Sequence, residues 1–191
     1  MANGFRSRLK SNCGVSHRKL ESQPRMQRLV DPELTDADYL EILLRFRVGF
    51  YALNRYLWTA LRSCERFQPY IDQSCRLEVL KQDILKLEQS PRPLGAGQFD
   101  GPTSVPFGVG VLYVVMGSTL GGQLIHRALA SNRNENIRVA GQFFGGDPGE
   151  RACLWRQFLE DLEDYAAESE VEHEVSFGAN RAFDYLSDLF N

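Results

Sequence analysis

Between Gly101 and Ile125 the chain carries no charged residue, and this run limits the possible folds more than any other stretch. A segment this apolar either crosses a bilayer or forms the centre of a core. Pro102 and Pro106 stand at its start, and Gly108, Gly110, Gly117, Gly121 and Gly122 punctuate it. Its most apolar part, Val109 to Met116, is too short for a hydrocarbon span, which takes about 20 residues of helix. A buried core helix over Phe107 to Ala130 is therefore predicted, and no membrane association. Val109, Val111, Val114 and Val115 would also suit a strand, but no second strand-like run exists to pair with them.

The remaining apolar residues recur at helical spacing. From Phe5 to Glu21, the residues Leu9, Cys13, His17 and Leu20 fall on one face of a single predicted helix. Gln23 to Leu34, with Pro24 and Pro32, reads as a connection. Thr35-Asp-Ala-Asp38 offers an N-cap with an acid three residues on. It opens a long helix to about Cys64, in which Gly49 is a candidate bend. A helix over Ile71 to Leu87 and a Pro/Gly-rich loop over Ser90 to Val105 come next. Helices near Asn134–Phe144, Glu150–Glu168 and Val171–Leu189 complete the chain. The expected fold class is all-α. With 191 residues, no repeat and no long linker, residues 1–191 are expected to form one domain.

Apolar residues make up 43% and charged residues 25%, which excludes a disordered tail and a collagen-like fibre. The net charge of −3 gives no basis for nucleic-acid binding. That total hides an asymmetry. Residues 1–30 hold seven Lys/Arg against the single Glu21, whereas residues 147–191 hold twelve acids against three arginines. The N-terminal part is thus suited to an anion. Cys13, Cys64, Cys75 and Cys153 are scattered, as in a reducing compartment. No apolar signal-peptide core is visible, and a cytoplasmic location is expected.

The common catalytic patterns are missing. Gly108-Val-Gly110 lacks the third glycine of a dinucleotide fingerprint, and Gly117-Ser-Thr-Leu-Gly121-Gly122 lacks the lysine of a phosphate loop. His17, His126 and His173 share no zinc-ligand spacing, and there is no Gly-x-Ser-x-Gly elbow. Two features remain. His17, on an apolar helix face, is either a core histidine satisfied by one hydrogen bond or a lone axial ligand to haem iron. Lys10 precedes it by two turns, about 10 Å along the same face, where an ammonium would meet a haem carboxylate. Glu21 follows one turn later and would orient the imidazole. The second feature is the cluster Gly117, Gly121 and Gly122, each costing a helix interior roughly 1 kcal/mol relative to Ala. Either two helices approach closely there, or the backbone approaches a flat ligand more closely than a Cβ would permit.

The segment Gly110-Val-Leu-Tyr-Val-Val-Met-Gly-Ser-Thr-Leu-Gly-Gly-Gln123 resembles the distal-helix signature of haem oxygenases. It is most similar to the bacterial branch associated with bacteriophytochromes. Arg8 to Glu21 resembles the proximal helix of that family, while Leu154-Trp-Arg156 and Gly178 to Phe190 resemble its two C-terminal helices. The resemblance implies a single-domain helical bundle with haem b, both substrate and cofactor, between proximal and distal helices. His17 would be the iron ligand, and Gly117 and Gly121 the distal wall, with Gly122 beside them. Lys10 and Arg156 would reach the propionates. Ser118 stands where animal members have an aspartate that orders water, and Met116 where relatives often have an acid.

The activity so implied is cleavage of haem with O2 and reductant-derived electrons to biliverdin, CO and Fe2+. The catalytic groups would be Gly117, Ser118 and Gly121. A reductase such as a ferredoxin or flavoprotein would donate electrons, and a phytochrome is a candidate receiver of biliverdin. A non-catalytic haem carrier or sensor on the same fold is the alternative, kept open by Ser118 and Met116.

Overall fold

A computed structural model describes residues 4–88, 97–168 and 170–191, and the regular elements among them are all helical. They are α1 (Phe5–Asn12), α2 (Gly14–Glu21), α3 (Pro24–Arg28), α4 (Asp36–Ala60), α5 (Gln68–Ser74), α6 (Leu77–Leu87), α7 (Val105–Ala130), α8 (Glu135–Val139), α9 (Pro148–Glu168) and α10 (Glu172–Phe190). The all-α expectation holds. Local chemistry sets several starts. Proline opens α3, α5 and α7, where its missing N–H is not needed. The Thr35 hydroxyl accepts from the Asp38 amide at 3.2 Å to begin α4.

The apolar run is the centre of the molecule. In α7, Phe107, Val109, Val111, Leu112, Val115 and Met116 are almost wholly buried. By length and composition this helix could cross a bilayer, but 61% of its most apolar window is buried inside the protein. It lies against α10 with unusually close main chains. A Cβ at Gly110 would stand 2.0 Å from the Val175 carbonyl oxygen, and one at Gly178 2.2 Å from that of Phe107. Only glycine permits that approach. Around the pair, Phe46, Phe50, Phe143, Phe144 and Phe190 pack their rings at 4.6–6.0 Å between centroids.

Five expectations change. The helix predicted over Phe5 to Glu21 divides at Cys13 (φ −95°, ψ −3°), although hydrogen bonds from Cys13 to Leu9 and from His17 to Cys13 run through the junction. Leu9 and Cys13 stay buried while His17 does not. The helix predicted over Ile71 to Leu87 breaks at Cys75 and Arg76, which turns the Arg76 side chain toward α7. Of Asn134 to Phe144, only Glu135–Val139 is helical, and the chain then runs irregularly through Gly141, Gly145 and Gly146, the last at φ +112°. Gly49 lies inside unbroken helix, where a Cβ would press on Leu186 and Leu189, so it serves packing against α10. Of the predicted loop over Ser90 to Val105, residues 90–96 lie outside the described residues, 97–104 are irregular, and Val105 already begins α7.

Candidate functional site

The division at Cys13 leaves α2 without a fully buried residue, and His17 projects from it with 51% of its side chain exposed. A core histidine would be enclosed, so that alternative falls away. The imidazole is nevertheless held on two sides. Its Nδ1 lies 3.3 Å from Glu21 Oε2 one turn on, and its ring meets Phe183 of α10 edge-on, with centroids 5.2 Å apart and planes at 85°. With a proton on Nδ1, the nitrogen next to Glu21, the Nε2 lone pair would be left for a metal.

His17 lines a cleft of about 700 Å³ that α1 and α2 form with α7, α9 and α10. Its walls are aromatic, from Tyr113, Trp155 and Phe183, and three cations, Arg6, Lys10 and Arg18, also line it. A large flat apolar molecule with anionic substituents matches that combination of size and chemistry. Burial pushes the Tyr113 phenol up to about 12, with a smaller push from Cys13, so its hydroxyl stays a donor. Burial likewise raises the Cys13 thiol to about 11, leaving it no thiolate to compete for a metal.

The glycines of α7 separate into two kinds. Gly122 is buried, and a Cβ there would sit 3.2 Å from the Phe144 carbonyl oxygen. It faces the main chain of residue 144, away from the side it was expected to share with Gly117 and Gly121. A Cβ at Gly117 would meet only the Trp155 ring, at 3.7 Å, and one at Gly121 would meet nothing within 4 Å. Tyr113, Gly117, Gly121 and Leu124 form one stripe along the helix at spacings of four, four and three. Leu124 is 66% exposed. Protein packing thus explains Gly122 and leaves Gly117 and Gly121 unexplained.

Ser118, beside that stripe, donates from Oγ to the Val115 carbonyl at 2.6 Å and lies 3.4 Å from Arg76 Nη2. The Arg76 guanidinium also donates to the Phe143 carbonyl, rests 4.6 Å from the centroid of the Phe143 ring, and keeps Nε buried without a partner. Burial, reinforced by nearby Arg151, pulls its pKa down to about 9. Arg151 bonds the Thr119 and Phe144 carbonyls, so both arginines tie residues 143–144 to the glycine-rich part of α7.

The structure therefore brings Lys10 and His17 to one cleft, with Glu21 outside it against His17 and Gly117 behind Trp155; Ser118, Gly121 and Gly122 do not line it. Arg156 is exposed on α9 and does not line the cleft. Sequence reasoning missed Arg6, Arg18, Tyr113, Trp155, Phe183 and Arg76 as individual contributors. The N-terminal cluster of bases was a signal for the first two, and the one-turn spacing to Gly117 for Tyr113. Nothing local marked Arg76, which arrives through a helix break.

No family model matches the sequence, and no curated protein matches it. Solved structures do match the fold. One is a heme oxygenase from Neisseria meningitidis in its NO- and CO-bound forms, 23% identical, covering 99% of this chain and 91% of that one, with a TM-score of 0.71. Another is heme oxygenase-1 from the cyanobacterium Synechocystis in complex with heme, 14% identical, with the same coverages and a TM-score of 0.73. The chain has the heme-oxygenase fold.

Proposed function

We propose that the chain is a haem oxygenase that binds haem between α2 and α7 and converts it, with O2 and electrons from a separate reductase, to biliverdin, CO and Fe2+. One observation carries the reading. Gly117 and Gly121 leave a bare helical stripe that protein packing does not require, on the helix whose Tyr113 lines the cleft of His17. Two interior glycines cost the helix about 2 kcal/mol together, and a flat ligand face is what would use the space. The fold likeness, one member of which is described with heme bound, supports the same conclusion.

The residues fit that group by chemistry. His17, its Nδ1 3.3 Å from Glu21 Oε2, would offer Nε2 to the iron. Lys10, with Arg6 and Arg18, matches two propionates at the cleft, a task first expected of Lys10 and Arg156, the latter lying exposed outside it. Tyr113 can donate to a carboxylate from the wall. Haem is the substrate and supplies the iron at which O2 is reduced. Ser118, fixed between the Val115 carbonyl and Arg76, is the hydroxyl assigned to hold a proton-carrying water beside Gly117. Met116 is fully buried and has no proton to give. Arg76 keeps its own proton and acts through charge and orientation. We assign the electron donor to the ferredoxin or flavoprotein class, the setting to the cytoplasm, and the receiver of biliverdin to a phytochrome.

Hemin titration followed by reductant under air tests this reading. A Soret band that decays into the broad red absorption of a bilin is expected. A Soret band that persists with a working reductant would instead identify a haem carrier or sensor, and the absence of any band would remove haem altogether. His17→Ala should lose the axial ligand and turnover together, and full activity in that variant would overturn the assignment.

A further inference from the structure

The bare stripe of α7 is closed at one end and open at the other. At the closed end, Trp155 of α9 lines the cleft and stands 3.7 Å from where a Gly117 Cβ would be. Its indole is not free to yield. It stacks on Phe158 at 5.6 Å with planes 26° apart, and packs against Tyr113 at 5.4 Å, while Phe158 is wholly buried between Phe67 and Tyr70. The indole is therefore braced through Phe158 to the core. At the open end, Gly121 has nothing within 4 Å and Leu124 is exposed. A flat ring laid on this face can slide or turn toward Leu124 but not past Trp155.

Resting on the haem reading above, we propose that Trp155 is the in-plane stop of the macrocycle, a positioning residue that decides which edge of the ring lies beside Gly117 and which lies over Gly121. The physical basis is asymmetry. His17 and Phe183 fix the axis on one face but leave rotation about it free. Lys10, Arg6 and Arg18 attract carboxylates from flexible stems and tolerate a range of angles. The braced indole edge is rigid, and packing against it changes steeply over fractions of an ångström. Which meso carbon is presented to bound oxygen then follows from the edge that fits Trp155.

The test uses hemin-loaded protein as wild type, Trp155→Phe and Trp155→Ala, with two readouts. The haem methyl proton resonances report in-plane orientation without turnover, and chromatography of the biliverdin reports the carbon attacked. Wild type should show one orientation and one isomer. Trp155→Ala should keep its Soret band yet show a second set of methyl resonances of comparable intensity and a mixture of isomers, and Trp155→Phe, which keeps a flat braced ring, should return toward one of each. If alanine at this position prevents folding, Trp155→Leu poses the same question with bulk but no plate. A single unchanged orientation in the alanine or leucine variant, with hemin bound through His17, would overturn the stop and leave the haem reading standing. Failure of wild type to bind hemin would overturn both.

Discussion

A methyl group added at Gly121 would meet nothing within 4 Å, whereas one added at Gly122 would sit 3.2 Å from the Phe144 carbonyl oxygen. The two residues are adjacent in sequence, so a pair of alanine substitutions separates ligand approach from packing. Gly121→Ala should raise the stability of the ligand-free protein by up to about 1 kcal/mol, because the helix gains a better former and loses nothing. The same methyl would stand on the face offered to haem, and hemin affinity should fall. Gly122→Ala should lower the melting temperature, because the residue 144 main chain must shift to admit it. Thermal unfolding and hemin titration on both variants give the answer. A Gly121→Ala protein that binds hemin as tightly as wild type would show that the stripe is not a ligand face. At this scale the placement of Lys10 and His17 on one cleft wall, and of Glu21 one turn beyond His17, was legible in the sequence, since helical spacing sets it. What Gly122 packs against was not, because it depends on Phe144, in a segment whose predicted helix ends early at Val139.

Between elements, polar groups fix what periodicity only approximates. Asp83 of α6 is wholly buried; it accepts from the Phe143 amide at 2.6 Å and from Lys86 Nζ at 3.0 Å, and Lys86 in turn donates to the Val139 carbonyl. That carboxylate staples α6 to the irregular segment holding Phe143 and Phe144, and so to the arginines behind Ser118. Asp83→Ala should cost about 1–3 kcal/mol by stranding a buried N–H, and Asp83→Asn less. Burial pushes the Asp83 carboxyl above its ordinary value of 3.8, against the opposing pull of Phe143 and Lys86. The native state therefore holds this proton more tightly than the unfolded chain, and the contribution of Asp83 falls as pH rises from 3.8 through the raised value. Denaturant melts at pH 4 and pH 7 should show a smaller deficit of Asp83→Asn relative to wild type at pH 7. A larger deficit there would mean that pairing with Lys86 outweighs burial. The helices themselves were largely readable from apolar spacing, but breaks such as Cys75–Arg76 carry no glycine or proline to announce them. What they deliver to the site, Arg76 above all, could not be read in advance.

The whole molecule divides unequally in how firmly its parts are held. The α7–α10 pair is locked by reciprocal glycine contacts that any side chain would break, and Gly110→Ala should cost about 3 kcal/mol or prevent folding. The N-terminal arm is held far more lightly. α1 buries Phe5 and Leu9, and its first amides, those of Phe5 and Arg6, donate to Glu163 of α9. α2 buries no residue fully and meets the body through partly buried Leu20, the His17–Phe183 contact and pairings of Lys19 with Asp184 at 3.7 Å and Asp188 at 4.0 Å. Local opening free energy follows buried contact, so the helix bearing the iron ligand should open without unfolding the core. In the ligand-free protein, α2 amides should exchange hydrogen much faster than those of α7 and α10. A ligand that binds only the closed arm stabilises it by mass action. Hemin should therefore slow exchange in α2 selectively, with little change in the α7–α10 pair, and zinc protoporphyrin, which cannot turn over, should do the same. His17→Ala should abolish the hemin effect and, having lost the Phe183 contact, should itself exchange α2 amides faster in the ligand-free state. Protection spread evenly over all helices would mean that the arm and the core open as one unit, and α2 would then be no separate latch over the cleft.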